Sequence, residues 1–444
     1  MKKLNPLESS ENSLFLKYSS LSVIGMIAIS SAGIVDAMFL GKFVGESALA
    51  AVNFTMPVFG LIVGITLMFS VGSSVSAGSL LGEGRVEKAA GIFSRSGLFL
   101  LILSIMFTLL IIPTADLLSR FLGGDAQSGP PLRTYLIYLI MFAPAFVMAI
   151  FFMYFVRLDG YPGLATMAMI SSSIANIVLD WVFIVRLGWG VKGAAVATGL
   201  SYFIADIFYL WHFLFRTTRF KFSLKKGSIK DVRFAAFNGF SEFANEISAG
   251  LITFMFNWTL MKRMGTSGVA AYTIVNYLLW LGLMICYGIS DSLQPLISTN
   301  HGAGKYVRIS NFLRLGFLAT VIFGSILSLL LLMFPERMVG LFVSGNTVTS
   351  EISINFIKYF WPAFILSGIN IIFSVYFTAI LRAGRSAIIS VLHGLVFPAI
   401  LLIILPNIIG DPGIFLAVPI SELITLFFAI GLFISVRPKK LSEA

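Results

Sequence analysis

The sequence predicts an all-α integral membrane protein with twelve transmembrane helices in two six-helix lobes. Of its 444 residues, 58% are hydrophobic and only 11% are charged, and the mean hydropathy is +0.95. A soluble protein of this length could not bury so much apolar surface, so the bilayer must act as its solvent. Apolar runs of about 20 residues recur along the whole chain, which favours helices over the short alternating strands of an outer-membrane barrel.

Each predicted span is an apolar run bounded by turn residues such as glycine, proline and aspartate. In the first half we expect spans at residues 14–39, 50–78, 92–112, 132–156, 163–186 and 193–215. In the second half we expect spans at residues 234–261, 267–290, 310–334, 352–380, 386–406 and 412–436. The run behind the polar first residues is too long for a signal peptide, so we expect it to remain as the first span.

Basic residues predict the orientation and the domain boundaries. With the amino terminus inside, the cytoplasmic segments hold most of the 31 lysine and arginine residues, which predicts that both termini are cytoplasmic. A basic cytoplasmic connector at 219–233 should separate an N-lobe at 1–218 from a C-lobe at 234–444. The net charge of +11 is then explained by membrane anchoring and not by nucleic-acid binding. We expect a multi-pass protein of a bacterial inner membrane, in contact with lipid.

The two halves repeat each other in the same order. The matching pairs are Gly45–Ala51 with Gly265–Ala271, Gly82–Arg85 with Gly302–Lys305, Phe142–Phe146 with Phe360–Phe364, and Arg157–Gly160 with Leu381–Gly384. Six spans in each half make both copies enter the membrane from the same side. We therefore expect a pseudo-twofold axis along the membrane normal, which is typical of a transporter that rocks between two states.

Four polar side chains of the N-lobe should form one cation site. Asp36 lies deep in the first span, Asn176 and Asp180 lie one helical turn apart in the fifth, and Thr198 lies early in the sixth. A rise of about 1.5 Å per residue places the three spans' polar groups in the outer third of the lobe. Carboxylate, amide and hydroxyl oxygens are hard ligands that suit Na⁺, and two neighbouring carboxylates can also share a proton. An ionisable group at this depth is costly and usually functional.

A structural role for the same residues is the alternative. Asp36 could cap the end of its span, and the polar groups of the fifth span could bond to neighbouring helices. The repeat favours function, because the second half has apolar residues at the matching positions. We place these counterparts at Phe256, near Ile400 and near Ile404.

Five polar residues of the second half form a further candidate set for substrate or protons: Glu242, Glu246, Asn257, Asp291 and Gln294. They could attract cationic substrates in a cleft. Equally, the two glutamates could pair with bases of the connector, and the others could satisfy backbone groups freed by Pro295. We interpret His393 as a hydrogen-bonded interhelical histidine and not as a ligand.

The sequence predicts neither an enzyme nor a cofactor other than the coupling ion. It has no nucleophile motif and no metal-ligand spacing, and its Gly82–Arg85 and Gly302–Lys305 turns lack the ending of a phosphate-binding loop. A single cysteine excludes an internal disulfide. Without any oligomerisation signal, we expect a monomer.

Several of these motifs together resemble the multidrug and toxic compound extrusion (MATE) family over essentially the whole chain. The resemblance is carried by Val35–Gly41, Ala48–Val52, Gly82–Arg85, Asn176–Asp180, Gly190–Thr198, Gln294–Ser298 and Gly302–Lys305. Details are similar to the branch that includes DNA-damage-inducible and staphylococcal-type multidrug exporters.

The resemblance implies efflux of amphipathic, cationic compounds in exchange for H⁺ or Na⁺ by rocking alternating access. It also implies that Asp36, Asn176, Asp180 and Thr198 bind the cation, as Na⁺ if coupling is to sodium. Other members use a glutamate of helix seven with an aspartate of helix ten, but span ten has no aspartate here. The alternative is a flippase of lipid-linked oligosaccharides or lipids from the same superfamily. A flippase should have basic residues for pyrophosphate, whereas acids outnumber bases within these spans.

Overall fold

The computed structural model of the chain describes residues 3–223, 228–342 and 347–442, and every regular element in those ranges is a helix. The helices of the first half are α1 (Glu11–Phe43), α2 (Glu46–Gly82), α3 (Val86–Phe121), α4 (Gly129–Met141), α5 (Ala143–Leu158), α6 (Pro162–Asp180), α7 (Gly190–Phe215) and α8 (Ile229–Asn238). A π-helical segment, Trp181–Arg186, continues α6. Lys225 and Lys226 of the predicted connector lie outside the described residues.

The second half begins with one very long helix. Its helices are α9 (Phe240–Gly302), α10 (Tyr306–Met333), α11 (Pro335–Gly340), α12 (Val348–Phe360), α13 (Pro362–Ala379), α14 (Ala383–Val391), α15 (Phe397–Ile409), α16 (Pro412–Val436) and α17 (Pro438–Ser442). A second π-helical segment, Leu392–Val396, joins α14 to α15 without a turn.

The predicted multi-pass, all-α membrane fold is confirmed. Among the described residues, ten helices are long and apolar enough to cross a membrane, and the bent pair of α4 and α5 adds an eleventh. The 63-residue helix α9 covers the eighth predicted span and the seventh from Phe240 onward, while the start of the seventh lies in α8. It breaks at Gly265, whose φ of 64° and ψ of −156° are open to glycine but not to other residues. Each of the twelve predicted spans therefore coincides with helix.

The fourth predicted span, 132–156, is broken in the middle. Helices α4 and α5 meet at Phe142 with a bend of 50°. Pro144 lies in the first turn of α5, and it has no N–H to donate to the carbonyl of Ile140. The hydroxyl of Thr108 on α3 donates to that carbonyl at 2.8 Å instead, so the carbonyl of Ile140 keeps a hydrogen-bond partner at the bend.

The chain forms two compact units. The first contains Met1–Ser9 and Ile24–Gly239, and the second contains Ser10–Val23 and Phe240–Ala444. The sequence divided the chain at 219–233, whereas the first unit also includes α8, and the start of α1 belongs to the second. Within the first unit α8 packs directly against α2. The two backbones are so close that a Cβ added at Gly72 would lie only 1.9 Å from the carbonyl oxygen of Ala235.

A buried ion-pair network holds the amino-terminal segment to the first unit. The fully buried Asp159, just after α5, accepts hydrogen bonds from His212 Nε2 and Arg219 Nε, both at 3.0 Å, and pairs with Lys3 at 3.4 Å. Burial raises the pKa of Asp159, but the hydrogen bonds and the lysine charge outweigh it and hold the pKa below its usual range. Beside it, Leu4 N donates to Gly160 O at 2.9 Å.

The backbone dihedral angles show the same repeat in the two halves, but they change the residue-by-residue alignment of its last part. Gly84 and Gly304 both have positive φ in equivalent turns, at 79° and 67°. Gly160, with a φ of 95°, has its conformational counterpart in Leu381, with a φ of 59°. The sequence aligned Gly160 with Gly384 instead, three residues too far along.

With the corrected register, the counterparts of Asn176 and Asp180 are Phe397 and Leu401. The sequence had placed them near Ile400 and Ile404. Both counterparts remain apolar, so the polar pair is still found only in the first half.

Candidate cation site

Asp36 of α1 and Asp180 of α6 come together in the first unit. Their carboxyl groups lie within hydrogen-bonding reach of each other, and their charges act on one another. Asp180 is fully buried, and Asp36 is partly exposed with one oxygen buried. Two acids so close in a largely apolar region cannot both be ionised without a positive charge beside them.

Three of the four oxygens in this acid pair lack a hydrogen-bond donor among the described residues. They are Oδ1 of Asp36 and both Oδ1 and Oδ2 of Asp180. A buried acceptor without a partner costs about 1–3 kcal/mol, and an ionised one costs more. The acid pair therefore lacks a compensating positive charge, which either a monovalent cation or a proton would supply.

Asn176 and Thr198 complete the predicted set. The Nδ2 of Asn176 donates to Oγ1 of Thr198 at 3.5 Å, and Asn176 lies one helical turn before Asp180 on α6. Asp36 lies seven residues before the end of α1, and Asp180 six residues before the end of its π-helical continuation. The three helices therefore carry these groups at similar depth, about 10 Å from their ends.

The backbone explains how α6 and α7 present their polar groups to each other. Asp180 ends the α-helical ladder of α6, and the π-helical segment begins at the next residue, Trp181. Such π-helical turns are frequent at functional sites because they redirect side chains. The return into α7 brings Gly193 close to the preceding segment, since a Cβ there would lie 3.1 Å from the backbone of Phe183.

Tyr135 borders the acid pair. The charges of Asp36 and Asp180 both act on the hydroxyl of Tyr135 on α4, and Tyr202 on α7 acts on it as well. Tyr135 also belongs to an apolar cluster that includes Leu40, Leu139, Ile184 and Val191. An apolar wall of this kind excludes water and strengthens electrostatic interactions beside it.

Asp206 is a third acid of the first unit that the sequence analysis missed. It lies two helical turns after Thr198 on α7, is buried, and its Oδ1 has no donor among the described residues. The charges of Asp206 and Arg157 both act on the hydroxyl of Tyr209. An aspartate in the middle of an apolar run was the signal that could have found it.

The structure brings together only some of the candidate residues of the second unit. Glu242, Glu246 and Asp291, all on α9, are close enough for the charges of the last two to act on Glu242. Gln294 follows Asp291 by one turn and is buried with Oε1 lacking a donor among the described residues. Asn257 lies three turns beyond Glu246, about 16 Å along the helix, so it is not part of this group.

His393 is hydrogen-bonded between helices, as predicted. Its Nδ1 lies 3.3 Å from Oε1 of Glu422 on α16. The sequence analysis did not single out Glu422, although it stands alone in the apolar run of α16.

Twelve spans, a repeated half and a largely buried acid pair within one unit are typical of secondary transporters. The family model MatE matches residues 22–182 and 244–404, once in each half, and the chain belongs to this family. The family match also confirms the predicted resemblance. The two matches begin 222 residues apart, close to the register given by Gly160 and Leu381.

Curated relatives and solved structures agree with this assignment. The multidrug export protein MepA of Staphylococcus saprophyticus is 24% identical over 412 residues, covering 92% of this chain and 90% of the relative. MepA of Staphylococcus aureus strain RF122 is 23% identical over 409 residues, with the same coverage.

Among solved structures, a MOP superfamily transporter from Pyrococcus furiosus has a TM-score of 0.92, 22% identity and full coverage of both chains. An outward-facing MATE family multidrug resistance transporter has a TM-score of 0.93 and 22% identity, covering 100% of this chain and 99% of that one. These likenesses show that the chain has the MATE fold.

Proposed function

We propose that this protein is a secondary active multidrug exporter that expels amphipathic, cationic compounds in exchange for H⁺ or Na⁺. The observation that carries the proposal is the acid pair of the first unit, whose three buried oxygens lack donors among the described residues. Family membership supports transport, and the multidrug export proteins among its relatives support drugs as the substrate class.

Cation binding is the step that drives the cycle. A Na⁺ ion would be held by the carboxylates of Asp36 and Asp180, with the Asn176 amide oxygen and the Thr198 hydroxyl as further oxygen ligands. A proton would be shared between the two carboxyl groups. Either ion removes the repulsion between them, which favours a packing of α1 against α6 that the empty site disfavours.

Export requires the cation and the drug to prefer different states of the carrier. A ligand shifts a conformational equilibrium only by its difference in affinity for the two states. We propose that the cell's cation gradient loads the acid pair from outside and that loading releases the drug outward. The emptied carrier then returns to its inward-facing state by rocking alternating access.

We propose that the acids of the second unit attract cationic substrates. Glu242, Glu246 and Asp291 form a group of like charges in a half-buried region of α9. Such a group lowers its electrostatic energy when a cationic compound binds near it. Gln294, one turn from Asp291, would contribute an amide contact and not charge, whereas Asn257 lies too far along α9 to take part.

We further propose that the protein works as a monomer in the bacterial inner membrane with both termini in the cytoplasm. The basic residues support this orientation, and the staphylococcal relatives support the bacterial membrane. The lipid bilayer and the exported compounds are its proposed partners.

Reconstituted protein in liposomes tests the proposal. Ethidium efflux is measured under a pH gradient alone and under a sodium gradient alone, with Asp36→Asn as the test variant. Asp116→Asn is the matched control, since Asp116 is 69% exposed and pairs with Arg133 at the surface. We expect wild-type and control protein to move ethidium with one of the two gradients, and Asp36→Asn to lose at least about 90% of this activity.

Two outcomes would contradict the proposal. Wild-type rates in Asp36→Asn would remove the acid pair from the transport cycle. Movement of a labelled lipid instead of ethidium by the wild-type protein would favour the flippase alternative.

A further inference from the structure

The second unit contains a buried acid at the centre of its helices. Glu422 lies about 15 Å from the start of α16, and Asn370 lies about 12 Å from the start of α13, at 1.5 Å per residue. Only 3% of Glu422 is exposed, and Asn370 is fully buried. These depths are far from both ends of the spans, where an ionised side chain could still reach water.

Three side chains from two other helical segments surround the Glu422 carboxyl group. Ser367 Oγ donates to its Oε1 at 2.7 Å, and Asn370 Nδ2 donates to its Oε2 at 2.6 Å. Nδ1 of His393 lies 3.3 Å from Oε1. Both carboxyl oxygens are thus engaged, and the carboxyl group has a basic nitrogen at hydrogen-bond distance.

Charge balance at this depth requires one proton for the pair. With Glu422 ionised and His393 neutral, the site has a net charge of −1 among apolar helices, which is costly. One added proton makes it neutral, either as a carboxylic acid beside a neutral imidazole or as a carboxylate beside an imidazolium. The proton binds without breaking any covalent bond, and it returns to water when it leaves.

Asn370 can serve both protonation states of the acid. Its Nδ2 donates to an ionised carboxylate, and its Oδ1 is a buried acceptor without a donor among the described residues. Rotation of the amide by half a turn would present Oδ1 to a protonated carboxyl group, which could then donate to it. In the present orientation Nδ2 also donates to the backbone oxygen of Glu422 at 2.9 Å, so Asn370 ties α13 to α16 as well.

The backbone at His393 is specialised. The histidine lies in the π-helical segment Leu392–Val396 between α14 and α15. A π-helical turn inserts one extra residue into the helix and is frequently found at functional sites. Here the turn carries His393, the basic side chain that lies at hydrogen-bond distance from Glu422.

The pair has titratable neighbours on more than one helix. Helix α9 packs against the π-helical segment of His393, with Asn245 and Ser248 beside Gly394, and it carries Glu242 and Glu246 on the same stretch. The remaining titratable side chains on the helices packed against α16 are Tyr376, Glu351, Lys358, Tyr359, Arg385, Lys439 and Lys440. In the described part of the chain, none of them is hydrogen-bonded to Glu422. Tyr376 and Arg385 bond to the last two turns of α16, and the others are exposed.

We propose that Glu422 and His393 form a second proton-binding site, in the interior of the second unit, which takes up one shared proton. The site is separate from Asp36 and Asp180, which lie in the first unit. It goes beyond the proposed export function and does not require it to be correct.

Nitrogen NMR of the histidine side chains tests the proposal directly. The chain has only three histidines, so full-length protein labelled with ¹⁵N-histidine in liposomes gives few imidazole signals. His393→Gln identifies the signal of interest, and His212, bonded to Asp159, is an internal control. We expect the His393 signal to titrate with pH in the wild type. In the nearly isosteric Glu422→Gln its midpoint should move by about one pH unit or more, because the charged partner is lost.

The possible outcomes are distinct. Equal His393 midpoints in wild type and Glu422→Gln, or no titration of His393 between about pH 5 and 9 in the wild type, would overturn the proposal. If Glu422→Gln does not fold, Ser367→Ala removes one donor but keeps the pair, and its His393 midpoint must also move. Asp36→Asn should abolish export yet leave the His393 titration unchanged, so failure of the export function can be recognised separately.

Discussion

Replacing Asp180 by asparagine should stabilise the cation-free protein while abolishing transport. In the wild type both oxygens of the Asp180 carboxyl group are buried without donors among the described residues. Asparagine removes a charge, and its Nδ2 can donate to the neighbouring Asp36. Satisfying a buried acceptor contributes about 1–3 kcal/mol. For a folding unit of about 200 residues this corresponds to a rise in Tm of roughly 2–12 °C.

The assay is thermal unfolding of purified protein with and without the coupling ion. Sodium, or a proton supplied at lower pH, should raise the Tm of the wild type, since a ligand that binds only the folded state adds about 1.4 kcal/mol for each tenfold excess over its Kd. The variant should lose this response, because the site then lacks one of its two carboxylates. Asp116→Asn, at an exposed ion pair, serves as the control and should behave as wild type.

A variant that unfolds at the wild-type Tm without the ion, and still responds to it, would refute the reasoning. The acid pair would then be satisfied by groups other than the coupling ion. A lower Tm for Asp180→Asn, with transport intact, would indicate a purely structural role for the pair.

Three further substitutions test the packing of the first unit, each by thermal unfolding of the purified protein. Asp159→Asn should lower stability at neutral pH by about 1–3 kcal/mol, because it leaves the buried His212 and the partly buried Arg219 without their acid. Since the pKa of Asp159 is lowered in the folded protein, this difference should be present above about pH 4 and shrink as the pH falls below it. Gly160→Ala should lower the free energy of unfolding by at least about 1–2 kcal/mol, because φ is 95° and the new Cβ would lie 2.4 Å from Leu4 O. The displaced amino-terminal segment should then be cut more readily by protease, and unchanged protease resistance would contradict this. Gly72→Ala should separate α2 from α8 and lower the Tm strongly, whereas Gly60→Ala, in open space on α2, should not lower the Tm and should raise it slightly, since alanine favours a helix by up to about 1 kcal/mol.

Much of the fold could be predicted because apolar length is a strong signal. Each predicted span coincides with helix, and the repeat located glycines that do adopt equivalent backbone conformations. The break between α4 and α5 was not predicted, since Pro144 alone does not reveal whether a helix bends or stops. The π-helical segments were not predicted either, because the insertion of a single residue leaves no mark on hydrophobic periodicity.

Residues of the candidate site could be predicted only where an ionisable side chain lay deep inside an apolar span. Asp36 and Asp180 stood out as acids in apolar runs, and the structure brings them together. Tyr135 was not identifiable, because a tyrosine in a span is ordinary and its place beside the acids depends on tertiary packing. Glu422 was identifiable by the same criterion as Asp36, yet its partners on α13 and beside α14 could be known only from the structure.

The anchored amino-terminal segment has a practical consequence for anyone who purifies this protein. Lys3 contributes to the charge balance of Asp159, and Leu4 closes a backbone hydrogen bond. A protease that trims these residues would remove both contacts and uncover the Asp159 carboxylate, and a tag fused immediately before them would add chain next to this packed segment. Tags for detection and immobilisation should therefore be placed after α17.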